Sequence, residues 1–392
     1  MEYLYIGLIL FLFFLVNYYF EKFHIPSLLA YILAGLALSA TISGDLYNLV
    51  ETIGDIGVLL LFFLLGLHYP LAHLLNISRR IWQVGVMDII LCFGVSFIMA
   101  YLFGFGPLNA LILGGVAYAS SSSITLKMLE DTGRDKTPEA EFKTGLLIFE
   151  DIAAPIIVSF LVGFNLEMEI SAGSLLSITA RVLIIVLFSI LVAVYGFRKL
   201  EYFVKRYLAK DFMLLFALAA AFLLAGLAIY LELSSLLGAF LAGVMLSETR
   251  SSGELDRFIS PLKKATLPFF FFWFGASISL EAGITAPWFL LILVLWGLAA
   301  KVLVGFLGGR IYGLTWKGSL RSSFSLGQRG EFSVVIAALG GPLLIAFSGL
   351  YIILTALAGV FMFHKAPGLA DRSFELLKRI FPALPPEGNN HS

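Results

Sequence analysis

Thr144-Gly-Leu-Leu-Ile-Phe-Glu-Asp-Ile-Ala-Ala-Pro-Ile-Ile-Val-Ser-Phe-Leu-Val-Gly163 is long enough to cross a bilayer as a helix, and it carries Glu150 and Asp151 side by side near its middle. Carboxylates at that depth cost several kcal/mol unless they face a polar cavity or a partner, so they mark an ion or proton path before they mark packing. The rest of the chain must supply the surroundings that tolerate them.

The composition fits that setting. Of 392 residues, 60% are hydrophobic and 13% charged, which places the chain among integral membrane proteins. A formal net charge of zero gives no attraction for nucleic acid. The single cysteine, Cys92, excludes an internal disulfide framework and a Cys-rich metal site. The apolar run from Tyr3 to Phe20 lacks a basic leader and a small-residue cleavage site, and reads as a first span, not a removable signal.

Turn residues and charge clusters divide the chain into thirteen apolar stretches of about 17 to 25 residues, the length that crosses the hydrocarbon. They run from about 3 to 21, 26 to 42, 51 to 69, 83 to 103, 107 to 126, 142 to 164, 175 to 197, 211 to 231, 234 to 249, 262 to 280, 287 to 310, 318 to 340 and 342 to 364. With the N-terminus outside, 23 of the 26 Lys and Arg fall in cytoplasmic segments, while the opposite loops hold Asp45, Glu51, Glu167, Glu169, Glu232 and Glu281 without one Lys or Arg. This asymmetry predicts thirteen spans and a cytoplasmic C-terminus. The three remaining cations are Arg181, near an outer helix end and able to snorkel, and Lys301 and Arg329, which need partners at their depth. The expected organisation is a transmembrane domain over residues 1–365 and a short cytoplasmic tail over 366–392, with an amphipathic piece around Phe374 to Phe381.

The fifth span contains Tyr118-Ala-Ser-Ser-Ser-Ser-Ile-Thr125. Its serine hydroxyls compete for backbone groups and favour local unwinding, although serine serves equally well on a helix-packing face. The twelfth span is interrupted by Ser325-Leu-Gly-Gln-Arg-Gly-Glu-Phe-Ser333, which brings Gln328, Arg329 and Glu331 to a glycine-flanked break. Mutual compensation of charge is the expected relation between Arg329 and Glu331. If residues 3–164 and 211–364 are two six-helix repeats of inverted topology joined by a linker helix over 175–197, the two interruptions occupy equivalent places, as discontinuous helices at a transporter site do. Asp55 and Asp88 read as helix-end residues, wetted or paired. His68 and His73 lie too near the interface to suggest a metal, and Phe269 to Phe272 is lipid-facing or core filling.

Four further strings, in this order, carry a family resemblance: Phe23-His-Ile-Pro-Ser-Leu-Leu-Ala-Tyr-Ile-Leu-Ala-Gly35, Gly54-Asp-Ile-Gly-Val-Leu-Leu-Leu-Phe-Phe-Leu-Leu-Gly-Leu67, Leu236-Leu-Gly-Ala-Phe-Leu-Ala-Gly-Val-Met-Leu-Ser-Glu248 and Gly327-Gln-Arg-Gly-Glu-Phe332. With the acidic pair and Lys301, nearly the whole chain resembles the cation:proton antiporter-2 family, which includes the Kef-type potassium systems. The resemblance implies an all-α membrane protein with crossed discontinuous helices. It also implies that Asp151 alternately binds cation and proton, that Glu150 sets the charge of the site, and that Lys301 pairs with a carboxylate there. The half-helix ends around Ser120, Ser121, Ser122, Ser123 and Thr125, and around Gln328 and Arg329, would bracket the site. Kef-type members commonly carry Gln-Asp at the acidic pair and electrogenic sodium antiporters Asp-Asp. The Glu-Asp of this chain resembles some potassium antiporters that work with a separate nucleotide-binding subunit, which favours potassium over sodium. A homodimer in the plasma membrane is the implied assembly.

Exchange follows if one buried carboxylate holds either a proton or a cation, and the empty ionised site is too costly to carry across. Pairing of Glu150 with Lys301 would leave a second proton to bind when the pair opens, the two acids titrating as a coupled set. No cofactor is implied. Two other classes use the same residues: a gated cation channel without obligatory exchange, and a sodium-coupled organic-anion symporter. No nucleophile, base and orienting group assemble at a spacing that suggests an enzyme.

Overall fold

A computed structural model of the chain describes residues 2–22, 26–42, 44–70, 81–167, 170–192, 210–247, 249, 252–279 and 286–380. Arg79, Arg80, His73, Glu169, Arg198, Lys199, Lys205, Arg206, Glu248, Arg250, Glu281 and the tail beyond Ile380 lie outside the described residues.

Fifteen helices are described. They are α1 (Glu2–Lys22), α2 (Ser27–Ala37), α3 (Asp45–His68), α4 (Ile81–Leu102), α5 (Pro107–Tyr118), α6 (Ser122–Asp131), α7 (Pro138–Glu167) and α8 (Ala172–Leu191). The chain continues through α9 (Lys210–Tyr230), α10 (Ser235–Ser247), α11 (Ser252–Ala276), α12 (Pro287–Tyr312), α13 (Trp316–Ser323), α14 (Glu331–Ala337) and α15 (Pro342–Ile380). Seven of these are long and apolar enough to cross a membrane, and four more are apolar but shorter. Their ends follow local chemistry. Proline opens α5, α7, α12 and α15, where a missing N–H costs nothing. Ser121, Ser171 and Thr315 cap α6, α8 and α13 with side-chain oxygens. Gly313, at φ 100°, ends α12.

The helices pack as two blocks. In one, α2, α3, α10 and α11 form the centre, flanked by α1 and α9; in the other, α4 to α7 and α12 to α15 surround the acidic pair. The first block is held by close backbone approach: a Cβ on Gly35 would strike the carbonyl of Phe272 across α2 and α11, and one on Gly66 the carbonyl of Phe240 across α3 and α10. Phe269 to Phe272 are buried there as core filling. Helix α8 lies between the blocks, touching α7 in one and α10 in the other.

Two expected boundaries move. Helix α11 begins at Ser252, ten residues before the apolar stretch, because Leu255 and Ile259 are buried one turn apart and continue its packed face through the charged segment. Helix α15 runs unbroken from Pro342 to Ile380, so residue 365 marks no helix end. Ala366, Ala370 and Phe374 recur at helical spacing and are buried, the last two beside Leu320 of α13. Lys317 meets Asp371 at 3.3 Å. The expected amphipathic piece is the end of this longer helix as far as Ile380.

Candidate exchange site

The two interrupted helices meet at their breaks. Between α5 and α6 the backbone is extended at Ala119 and Ser121, and between α13 and α14 it runs without helix from Ser325 to Gly330. The two segments pair antiparallel at Ser120 and Arg329, and the Ser121 N–H donates to the Gln328 carbonyl at 2.8 Å. Each break thus satisfies part of the other, which is how non-helical backbone survives at this depth. A Cβ on Gly330 would collide with the Cβ of Ser121, so this crossing admits only glycine. Gly330→Ala is expected to force the segments apart, costing about 1–3 kcal/mol as overpacking does, and to lower the unfolding temperature in detergent; an unchanged temperature would show that the crossing is slack.

Helix α7 passes beside the crossing and presents its acids to opposite sides. Asp151, 2% exposed, accepts from the Ser122 hydroxyl at 2.7 Å and from the Tyr69 hydroxyl at 3.3 Å. Pro155 follows four residues later inside α7, removing the N–H that would otherwise close onto the Asp151 carbonyl. Glu150 turns the other way. It accepts the Ser120 N–H, lies 3.4 Å from the Ser120 hydroxyl, and meets Lys301 Nζ at 3.0 Å. Lys301 is fully buried and is held by a second carboxylate, Asp88 of α4, at 2.8 and 2.9 Å. The Tyr118 ring lies 5.6 Å from the same ammonium.

The expected compensation between Arg329 and Glu331 does not occur. Arg329 is fully buried and donates to the Gly297 carbonyl at 3.2 Å and to Tyr351 at 3.4 Å, on the α12 and α15 side. Glu331 accepts from Ser121 and Ser123, each at 3.2 Å, on the α6 side. The glycine at 330 lies between them in extended backbone, so the side chains at 329 and 331 leave in different directions. Gln328 donates to the Gly359 carbonyl at 3.2 Å, and Thr125 is buried in α6 one turn past Ser121. Ser123 is exposed and Ser122 half-buried, so the first turn of α6 carries hydroxyls from the protein surface to Asp151, with Glu331 bonded to Ser123. The arrangement offers an alkali-sized cation oxygen ligands at a carboxylate that no cation among the described residues touches.

Residues 8–366 match the family described as sodium/hydrogen exchanger, transmembrane. The chain belongs to that family. It is 43% identical, over 94% of each chain, to the ammonium/H(+) antiporter subunit AmhT of Alkalihalophilus pseudofirmus. It is 31% identical to the K(+)/H(+) antiporter subunit KhtU of Bacillus subtilis, over 86% of this chain and 84% of that one. The fold is also that of the sodium proton antiporter MjNhaP1 from Methanocaldococcus jannaschii, with a TM-score of 0.72, 17% identity, and coverage of 95% of this chain and 99% of that one. The family is one of membrane transporters, and this member is a multi-span cation/proton antiporter membrane domain.

Two neighbours of the antiporter's acidic pair escape a reading by spans. Asp88 stands two turns inside the described part of α4, not near its end; a π turn over Ile89–Gly94 follows it directly. Such turns widen a helix locally and recur at functional sites. Tyr69 reaches Asp151 from the end of α3, in the other block. Nothing in its sequence context signals that contact. Arg181 meets Glu232 at 2.5 Å and Glu167 at 3.4 Å, and His68 meets Asp256 at 3.1 Å.

Proposed function

We propose that this antiporter exchanges potassium or ammonium for protons by competition of the two for Asp151. The observation that carries the reading is the geometry of that carboxylate: 2% exposed, bound among the described residues by neutral hydroxyls alone, and beside the crossing of two broken helices. An ionised carboxylate so placed costs several kcal/mol, and either a proton or a cation removes that cost. Occupancy by one excludes the other, so the loaded forms cross and the empty one does not. Potassium and ammonium are favoured because the two relatives with the higher identities reported above are named for those ions.

The same reading assigns thirteen spans, counting α5 with α6 and α13 with α14 as single interrupted spans, with the N-terminus outside and the C-terminus in the cytoplasm. The first three spans of each six-helix half fall in one block and the last three in the other, as two inverted repeats joined by α8 require. The block with α2, α3, α10 and α11 is the scaffold and homodimer surface, and the site-bearing block rocks against it in a bacterial plasma membrane. Both relatives are named as subunits, which supports a separate regulatory partner.

The test is exchange in liposomes with potassium, ammonium, sodium and lithium at several pH values. Potassium and ammonium are expected to drive proton movement at concentrations about tenfold lower than sodium, a difference of 1.4 kcal/mol. Sodium acting at equal or lower concentration overturns the selectivity; cation flux without proton movement overturns antiport. Glu331 adds negative charge on the entry path, so Glu331→Gln is expected to raise the half-saturating cation concentration severalfold, by about 1 kcal/mol for one partly screened charge, with the maximal rate little changed. An unaltered half-saturation value removes Glu331 from the path.

A further inference from the structure

Asp151 is held from both sides of the seam between the two blocks. One of its oxygens accepts from Ser122 at 2.7 Å, and Ser122 opens α6, in the same block as α7. The other accepts from Tyr69 at 3.3 Å, and Tyr69 ends α3, which packs on α10 and α11 in the opposite block. Tyr69 follows Phe62 by two turns on one face of α3, and the Phe62 ring meets Phe332 of α14 edge-on at 5.2 Å. That face therefore meets the site-bearing block twice, once through an apolar contact and once through a hydrogen bond to the exchanging group. Ring against ring responds little to what occupies the site. A hydroxyl on a carboxylate does respond, since a hydrogen bond to an ionised acceptor is about twice as strong as one between neutral groups. The two other carboxylates at the crossing have donors of their own: Lys301 and the Ser120 N–H for Glu150, Ser121 and Ser123 for Glu331.

We infer that Tyr69 is an occupancy latch: its hydroxyl ties the empty, ionised Asp151 to the opposite block and lets it go once a cation or a proton is bound. The inference rests on the assignment of exchange to Asp151. When the blocks rock, Ser122 travels with Asp151 and Tyr69 stays behind, so this bond breaks at each crossing. Breaking it costs most while the carboxylate is bare and least once its charge is neutralised. Burial opposes the empty crossing in either direction; the latch adds a barrier that acts only from the orientation in which Tyr69 reaches the site. It has a second consequence. A cation must bind against a bond that the empty site already has, so Tyr69 weakens cation binding, whereas a hydroxyl serving as a cation ligand would strengthen it. The sign of the effect therefore tells a latch from a ligand.

The experiment compares the wild type with Tyr69→Phe, which removes one oxygen and keeps the ring. Potassium is titrated into the detergent-solubilised protein in an alkaline choline buffer, where protons compete least, and the rise in unfolding temperature gives the half-effective potassium concentration. Tyr69→Phe is expected to lower that concentration about fivefold, the equivalent of ~1 kcal/mol between a hydrogen bond to a charged acceptor and one to a neutral acceptor. An unchanged value makes Tyr69 a bystander and a raised one makes it a ligand; either overturns the inference. Hydrogen–deuterium exchange supplies the second readout. Potassium is expected to change deuterium uptake in α3 and α6 of the wild type as the latch opens, and potassium-free Tyr69→Phe is expected to show the loaded pattern already. An equal potassium response in the two proteins overturns the latch. Should Tyr69→Phe fail to fold, the wild type decides, and uptake in α3 and α6 that potassium leaves unaltered sinks the inference. Asp151→Asn separates the two levels: a wild-type potassium titration in that variant sinks the assignment of the cation to Asp151, while no response there beside an unshifted Tyr69→Phe sinks the latch alone.

Discussion

Asp151→Asn reduces proton-coupled cation exchange in reconstituted liposomes to that of protein-free vesicles. Asparagine fills the same volume and still pairs with Ser122 and Tyr69, but it neither takes up a proton near neutral pH nor presents a charge to a cation. Both competing states are therefore lost together. Stability should move the other way. The carboxylate is buried with hydroxyls as its hydrogen-bond partners among the described residues, and replacing it by a neutral amide removes a desolvation penalty of about 1–3 kcal/mol. The variant is thus expected to unfold at the wild-type temperature or above it in detergent. A folded and inert protein is the predicted result. Retained exchange would place the site elsewhere, and a strongly lowered unfolding temperature would mean that the charge serves the fold.

Much of this arrangement is legible along the chain, because the bilayer reduces folding to a small set of rules. Apolar stretches give helices, since no other open structure satisfies its own backbone in hydrocarbon. The four serines and the Gly-Gln-Arg-Gly string mark the two breaks, and the helices do stop at Tyr118 and Ser323. What stays hidden is which side chain meets which. Lys301 and Asp88 are 213 positions apart, and Asp88 sits in an apolar helix that extends at least two turns before it, back to Ile81. Arg329 and Glu331 fail differently. Their proximity in sequence suggests a pair, but extended backbone at a break sends them toward different helices, where a carbonyl and two serines serve each better. The continuation of α15 is hidden for a third reason: Pro367 and the cluster of charges look like an exit from the membrane, yet a helix leaving the bilayer keeps its hydrogen bonds as long as Ala370 and Phe374 have α13 to cover them.

Lys301→Ala carries the largest expected cost to stability. The ammonium is the shared counter-ion of Asp88 and Glu150, and all three side chains are fully buried. Removing one member of such a set strands the others, and a broken buried pair typically loses 3–5 kcal/mol because the orphaned charge keeps its desolvation penalty. Here two carboxylates are orphaned against each other. The variant is expected to lose about 4 kcal/mol or more, seen as a fall of roughly 5–15 °C in unfolding temperature in detergent. The loss comes from the orphaned charges, not from missing contacts of the lysine stem. Neutralising all three together, as Lys301→Met with Asp88→Asn and Glu150→Gln, therefore recovers most of the stability, since an uncharged set of similar volume has no such penalty to carry. If the triple variant is no more stable than Lys301→Ala, packing of the stem outweighs electrostatics. If Lys301→Ala itself unfolds with the wild type, the carboxylates at 88 and 150 take up protons or water when the lysine is lost, and the ion pairs contribute nothing to the fold.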